Sequence, residues 1–200
     1  MRAYVGLGAN VGDGPATLAA AVRALAALPG PRMRGVSRLY VTRPVGDLDQ
    51  PDFHNAVVAL DVPRGSEPEI GALALLLALK QLEAAFGRRE RRHWGPRELD
   101  LDLLVFGRQR VQVERPPAGR SRDPARGERQ WLEVPHPEAR SRLFVLAPLA
   151  DLAAHLIPPG WGTRVATLRD RRRAVEGADA VRAVAAWDAE RAGWRTQAPR

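Results

Sequence analysis

In the run GPRELDLDLLVFG, Asp100 and Asp102 stand one residue apart, and Arg97 lies just upstream. On an extended strand, residues i and i+2 share a face. The two carboxylates therefore project together, while Leu99, Leu101 and Leu103 point the other way, toward a core. The carboxylate-bearing Cα atoms should lie about 6.5 Å apart. That spacing suits one or two hard cations. Mg²⁺ takes only one or two protein carboxylates and completes its shell with water and phosphate, and a two-metal site needs ions about 3.5–4 Å apart. For a bare pair, two solvated aspartates on an exposed sheet face are the simpler reading. The context decides, because Arg88, Arg89, Arg91, Arg92 and His93 crowd the approach together with Arg97. A polyphosphate carrying Mg²⁺ needs this combination: metals neutralise the bridging oxygens and guanidinium groups clamp the rest. Gly95 and Pro96 predict a turn that aims Arg97 back over the strand.

A second group lies in VTRPVGDLDQPDFHNAVV. Asn55 is an amide at the start of an apolar strand, and Phe53 shares its face. A ring beside an amide suits a flat heterocycle, which can stack on one and hydrogen-bond to the other. Taken alone, Asn55 also reads as a strand-end residue. Trp94 and Phe144 could add aromatic surface. His136 sits between Pro135 and Pro137, where an ordinary loop histidine is the simpler reading. The glycines of GLGANVGDG do not make a dinucleotide fingerprint, because Val11 stands where a third glycine is needed, and no Gly-Lys-Ser/Thr follows to make a phosphate-binding loop. They are expected to serve backbone geometry.

The elements that must position these groups follow from periodicity. AYVGLG reads as a strand. The next helix has Pro15 in its first turn and Leu18, Val22 and Leu25 at helical spacing, and it stops at Pro29 and Gly30. RGVSRLYVT and FHNAVVALDV read as two strands joined by a polar loop. SEPEIGALALLLALKQLEAAFG is a helix, opened by a Ser66–Glu69 capping box and closed by Gly87. The Asp100 segment is a fourth strand. The order β-α-β-β-α-β predicts a ferredoxin-like α+β sandwich, an antiparallel sheet with helices packed on one face and the other face free for a ligand. That fold hosts many functions. Residues 108–130, rich in Arg and Pro, read as a mobile loop or hairpin extension. The main domain is expected to span 1–168. An Arg-rich C-terminal extension, 169–200, carries a possible amphipathic helix around Ala174 to Trp194, with Val175, Val181, Val184 and Trp187 as its apolar positions.

The chain has 200 residues and no cysteine, which suits one domain in a reducing compartment and rules out thiolate zinc sites and cysteine nucleophiles. Lys80 is the sole lysine among 31 basic residues, and the net charge is +8. The charge reads as compositional drift or as attraction for an anionic ligand. The start of the chain has no apolar stretch of signal-peptide length, and LALLLAL is too short to span a bilayer. A cytoplasmic protein with no membrane partner is expected.

HWGPRELDLDLL, with YVGLGANVGD, SRLYVTRPVGDLDQPDFHNAV, LEAAFGRR and VPHPEARSRLFVLAPLADL in this order, resembles the 6-hydroxymethyl-7,8-dihydropterin pyrophosphokinase family. The resemblance covers roughly residues 1 to 168. It implies the ferredoxin-like fold and an ATP-dependent diphosphotransferase of folate biosynthesis, which moves pyrophosphate from ATP to the pterin hydroxymethyl group and releases AMP. By the same resemblance, Asp100 and Asp102 would hold two Mg²⁺ ions, and Arg88 and Arg97 would stabilise charge on the transferred group. ATP would also meet Glu83, Trp94, Leu103, His136 and Arg142. Thr42, Val45, Phe53, Asn55 and Asp100 would line the pterin site, with Phe144 stacking opposite Phe53 and Trp94 closing over it. The implied partners are ATP and the pterin, with no nucleic acid, and the chain would act as a monomer. Loops around 43–51 and 87–97 would serve as lids that exclude water. The chain departs from the family pattern in several places. Phe53 replaces a frequent tyrosine, His93 a frequent arginine, and Lys80 and Glu133 stand where some relatives carry uncharged polar residues.

Two other readings compete. A nucleic-acid-binding module of the same fold would want exposed aromatics on its central strands, yet Asp100 and Asp102 would repel phosphates unless metals intervene. An inactive scaffold relative would not need Arg88, Arg97, Asp100 and Asp102 intact.

Overall fold

The structure, a computed structural model, describes residues 1–44, 49–87, 97–121, 127 and 129–196. Val45, Arg88 and Trp94 lie outside the described residues, as do 45–48 of the expected lid at 43–51 and 88–96 of the expected lid at 87–97.

Strand β1 (Arg2–Ala9) leads into α1 (Gly14–Ala27). Asp13 caps that helix by accepting the Ala16 N–H at 3.0 Å, and Leu18, Val22 and Leu25 are buried as their spacing predicts. The next expected strand is split into β2 (Arg32–Val36) and β3 (Leu39–Thr42), both lying along the same edge of β4 (Phe53–Asp61). The break falls at buried Ser37. Its N–H donates to the Val57 carbonyl and its Oγ accepts the Val57 N–H, both at 2.9 Å, so a side chain replaces one strand partner. Helix α2 (Pro68–Ala85) does not form the expected capping box. Glu67 takes the cap position without a side-chain bond. Pro68 needs no N–H partner at the first turn, and the Glu69 charge sits there favourably beside the helix dipole. The helix ends at Phe86, followed by Gly87 at φ +77°, a left-handed conformation that glycine adopts without strain.

Then come β5 (Asp100–Phe106), the β6 (Val111–Glu114) and β7 (Trp131–Val134) hairpin, α3 (Leu143–Ala153), α4 (Val165–Glu176), β8 (Val181–Asp188) and β9 (Gly193–Thr196). The main sheet runs β5-β1-β4-β3-β8-β9, with β2 beside β3 on β4, and its pairs are antiparallel. The segment 108–130 thus contains β6 and a 3-10 turn at Pro117–Gly119.

The helix expected over Ala174 to Trp194 is instead the end of α4 followed by a hairpin. Gly177, at φ +98°, closes the helix, and Val175 is 75% exposed. The Asp188 carboxylate accepts the N–H groups of Glu190 and Arg191 and so builds the turn between β8 and β9. Residue 168, the boundary read from composition, falls inside α4, and β8 beyond it joins the main sheet.

One face of the sheet packs on α1 and α2 through Val5, Leu7, Leu18, Leu79, Leu99 and Leu101. The opposite face was expected to be free. Half of it is covered, because Tyr4, Val57, Ala59, Leu104 and Val105 bury against Leu146 and Leu149 of α3 and Val165 of α4. A bulge makes this possible. Val5 pairs with Leu103, but Tyr4 pairs with Val105, so Leu104 is the extra residue. Leu104 and Val105 then both serve the second core, and Phe106 returns to the first.

Candidate active site

Strand register assembles the site. Gly8 lies opposite Asp100 on β5 and Asn55 on β4, and Asn55 lies opposite Tyr40 on β3. Gly6 lies opposite Asp102, and Thr42 opposite Phe53. Directly paired residues share a face, so Asp100, Gly8 and Asn55 form one row across three strands, with Asp102, Phe53 and Thr42 on the same side. At about 4.8 Å per strand, the carboxylate and the amide are rooted about 10 Å apart. Gly8 keeps the space between them clear. A Cβ there would stand 3.5 Å from Asn55 Oδ1 and 4.0 Å from the Asp100 Cβ. Sequence reasoning gave this glycine only a backbone role; its position becomes visible through the pairing of three strands.

Asp100 and Asp102 are half-buried, whereas Leu99, Leu101 and Leu103 are in the core, as alternation requires. The Arg97 guanidinium donates to the Asp100 carboxylate. Buried Glu83 of α2 accepts the Leu101 N–H at 2.7 Å and takes the Lys80 ammonium on both carboxylate oxygens. Glu83 therefore anchors the outer edge of β5 between the two aspartates. The Leu103 side chain faces the core. Only its backbone, which shares that outer edge with Leu101, is placed to meet a ligand. Among the described residues no cluster of three or more His, Asp or Glu could hold a metal. A pair of carboxylates on an accessible face still fits Mg²⁺, which leaves the remaining positions to water and substrate phosphate.

Asn10, 4% exposed, was overlooked in the sequence. Its Oδ1 accepts the Arg97 N–H at 2.7 Å, and its own N–H donates to the Arg97 carbonyl at 3.0 Å. Its Nδ2 donates to Gln50 Oε1 at 3.0 Å and to the Pro51 carbonyl at 3.2 Å. One buried amide thus fixes the approach to β5 against the approach to β4. An asparagine among glycines gives no sign of this until both loops are placed.

On the β4 side, Asn55 Nδ2 donates to Thr42 Oγ1 at 3.0 Å, which leaves Oδ1 facing the Gly8 gap. His136 follows β7, and its N–H donates to the Leu104 carbonyl at 2.9 Å, which sets the ring beside β5. Burial pushes the His136 pKa down, and the Asp102 carboxylate opposes that shift. Arg142 and Arg115 add to the lowering, and Asp100 also opposes it. The ring is therefore neutral at pH 7. The Glu138 N–H donates to its Nδ1 at 3.3 Å, which assigns the ring proton to Nε2. The Arg142 guanidinium lies 5.8 Å from the Phe144 ring centroid, at the start of α3.

The 7,8-dihydro-6-hydroxymethylpterin-pyrophosphokinase (HPPK) family matches residues 4–154. The chain is 42% identical over 165 residues to the 2-amino-4-hydroxy-6-hydroxymethyldihydropteridine pyrophosphokinase of Methylorubrum extorquens, covering 82% of this chain and 90% of that one. It is 41% identical over 160 residues to the Pseudomonas aeruginosa enzyme of the same name, covering 80% and 85%. Among solved structures, Plasmodium falciparum HPPK-DHPS superposes with a TM-score of 0.71 at 12% identity, over 98% of this chain and 48% of that one. This last likeness speaks for the fold, and the chain spans about half the length of that protein. With the match extending from β1 through α3, the chain belongs to the 7,8-dihydro-6-hydroxymethylpterin-pyrophosphokinase family.

Proposed function

We propose that this chain binds ATP and 6-hydroxymethyl-7,8-dihydropterin along the Asp100–Gly8–Asn55 row and transfers the pyrophosphoryl group between them, releasing AMP, as a step of folate biosynthesis. The observation that carries the reading is the register. It roots a carboxylate pair and an amide pocket on one sheet face, with a glycine clearing the space between them. The pterin lies on the Asn55 side. Asn55 Oδ1 accepts from a ring N–H, Thr42 fixes the amide through Nδ2, and Phe53, Phe144 and Val45 supply the apolar walls. ATP lies on the β5 side, against the outer edge at Leu103, with Trp94 over it. Its phosphates meet Arg88, Arg97, Arg142 and the Nε2–H of His136.

Asp100 and Asp102 hold Mg²⁺, which when bound neutralises phosphate charge and lets the two reactants approach. In the transfer, the pterin hydroxymethyl oxygen gives up its proton to solvent and bonds to the β-phosphorus, and the bond from that phosphorus to the α,β-bridging oxygen breaks, so that AMP leaves with that oxygen. Arg88 and Arg97 offset charge on the moving group. Positioning and electrostatics supply the acceleration in chemistry of this type. Arg97 is well suited to the task, since Asn10 holds its backbone and Asp100 its guanidinium. In this reading the enzyme acts in the cytoplasm as a monomer.

The test is a product assay with purified protein, ATP, Mg²⁺ and the hydroxymethyl pterin, followed by nucleotide chromatography. Pterin-dependent AMP is expected. Pterin-dependent ADP would mean single phosphoryl transfer and a wrong mechanism, and no pterin-dependent product would reject the reading.

A further inference from the structure

Residues matched to the family end at 154, and the β8–β9 hairpin lies beyond them. Its attachment runs along the strand that ends in the pterin pocket. Leu39, Tyr40, Val41 and Thr42 pair with Ala185, Ala183, Arg182 and Val181. Among the described residues β3 pairs with β4 and β8, so without β8 it would keep β4 alone and Thr42 would sit at the tip of an edge strand. Strand ends with one partner open readily. The hairpin is also fixed at the other end of β3. Trp194 Nε1 donates to the Ser37 carbonyl at 3.1 Å, and Ser37 is itself bonded to Val57, two residues from Asn55. Trp194 meets Trp187 edge-to-face at 4.8 Å, both rings pack on the first core, and Arg23 of α1 donates to the Ala192 carbonyl at 2.9 Å.

We infer that the C-terminal hairpin is a positioning element for the pterin side of the site. It clamps β3 at Ser37 and at Thr42, and so holds the Thr42 hydroxyl where it orients the Asn55 amide. The inference rests on the functional reading above, and it predicts a selective effect. The ATP side draws on β5, α2, the segment after β7 and Arg142 at the start of α3; among the described residues the hairpin strands pair with β3 and with each other, and neither pairs with β5 or β7.

The experiment uses full-length Trp194→Ala, Trp194→Phe and Arg182→Pro proteins. Pterin-dependent AMP formation is measured with each substrate varied in turn. Amide hydrogen exchange at Tyr40, Thr42 and Asn55 is followed in parallel. Trp194→Ala and Arg182→Pro are expected to raise the KM for the pterin about tenfold, leave that for ATP within about twofold, and speed exchange at Thr42. Trp194→Phe keeps a ring against Trp187 but loses the N–H donor, so an intermediate rise is expected. A parallel rise in both KM values, or a lowered melting temperature with neither KM changed, would overturn the inference and leave the hairpin a general stabiliser. If wild-type protein forms no pterin-dependent AMP, the functional reading itself falls and this inference falls with it. If wild-type protein is active and all three variants match it, only the hairpin's role is rejected.

Discussion

Asn10 and the Arg97 backbone bond to each other twice, Arg97 N–H to the Asn10 side-chain Oδ1 at 2.7 Å and the Asn10 main-chain N–H to the Arg97 carbonyl at 3.0 Å. Because Asn10 Nδ2 also reaches Gln50 and Pro51, the residue couples the entrances to both halves of the site. Replacement by Ala strands a main-chain N–H and two acceptors, at a cost of about 2 kcal/mol. Asn10→Ala should therefore lower the urea midpoint and reduce kcat/KM by at least about tenfold through misplacement of Arg97. Asn10→Asp, which retains the acceptor for Arg97, should lose less activity. Equal loss in both would place the effect at Gln50 and Pro51.

Asp100→Ala and Asp102→Ala should each reduce AMP formation by more than about a thousandfold, on the scale of removing a principal electrostatic element of phosphoryl transfer. Both side chains are half-buried and lie outside the two cores, so circular dichroism and melting should change little. Near-normal turnover in either variant would reject the metal role.

Gly8 separates two size regimes. An alanine Cβ would make ordinary contacts with Asn55 and Asp100, so Gly8→Ala should retain activity within about threefold. Gly8→Val would fill the gap between them and should abolish pterin binding, measured by calorimetry or by quenching of pterin fluorescence, with the fold retained.

Glu83 is 2% exposed and carries both Lys80 and the Leu101 N–H. Its removal leaves a mostly buried ammonium and an open strand edge. Glu83→Ala should cost about 3 kcal/mol in urea unfolding. Glu83→Gln, still able to accept from Leu101, should cost less.

Stability should fall as the pH drops from about 7.5 to about 5.5. Burial lowers the pKa of both His54 and His136, against the opposing pull of Asp13 and Asp52 on the first and of Asp102 on the second. In the unfolded chain both titrate near pH 6.5. Below that pH the unfolded state binds more protons than the native state, so acid favours unfolding until the native pKa values are reached. A His54→Gln/His136→Gln double variant should show a flatter urea midpoint over the same range.

Alternation made the aspartate face legible from sequence, because Leu99, Leu101 and Leu103 must seek a core that Asp100 and Asp102 must avoid. Helical spacing did the same for Leu18, Val22 and Leu25, and a positive-φ glycine closed α2 as expected. Gly8 and Asn10 were not legible, since their roles depend on which strands and loops lie beside them. Glu83 was implied as an ATP contact by the resemblance alone; that its oxygens hold the Leu101 N–H and the Lys80 ammonium needs α2 and β5 to be packed together, which no local pattern announces. The segment over α3 is apolar nearly all round, so its sequence does not say which sheet face it will cover. In the tail, Val181, Val184 and Trp187 stand three apart, a helical spacing that disguised a strand as a helix. What fixes the hairpin is an indole pair and an aspartate-built turn, both of which need the chain to fold back first.

The extra residue at Leu104 divides one sheet face between two trades. Past it, side chains answer to α3 and α4, and their replacement is paid in unfolding. Before it, Asp100, Asp102 and the row through Gly8 to Asn55 border on ligand space. Changes in substrate preference can therefore accumulate at one end of the face while thermal tolerance is tuned at the other, with little traffic between the two. A laboratory search for altered pterin analogues should recover its useful variants on the Gly8 side, and a search for heat resistance should recover them around Leu146 and Leu149.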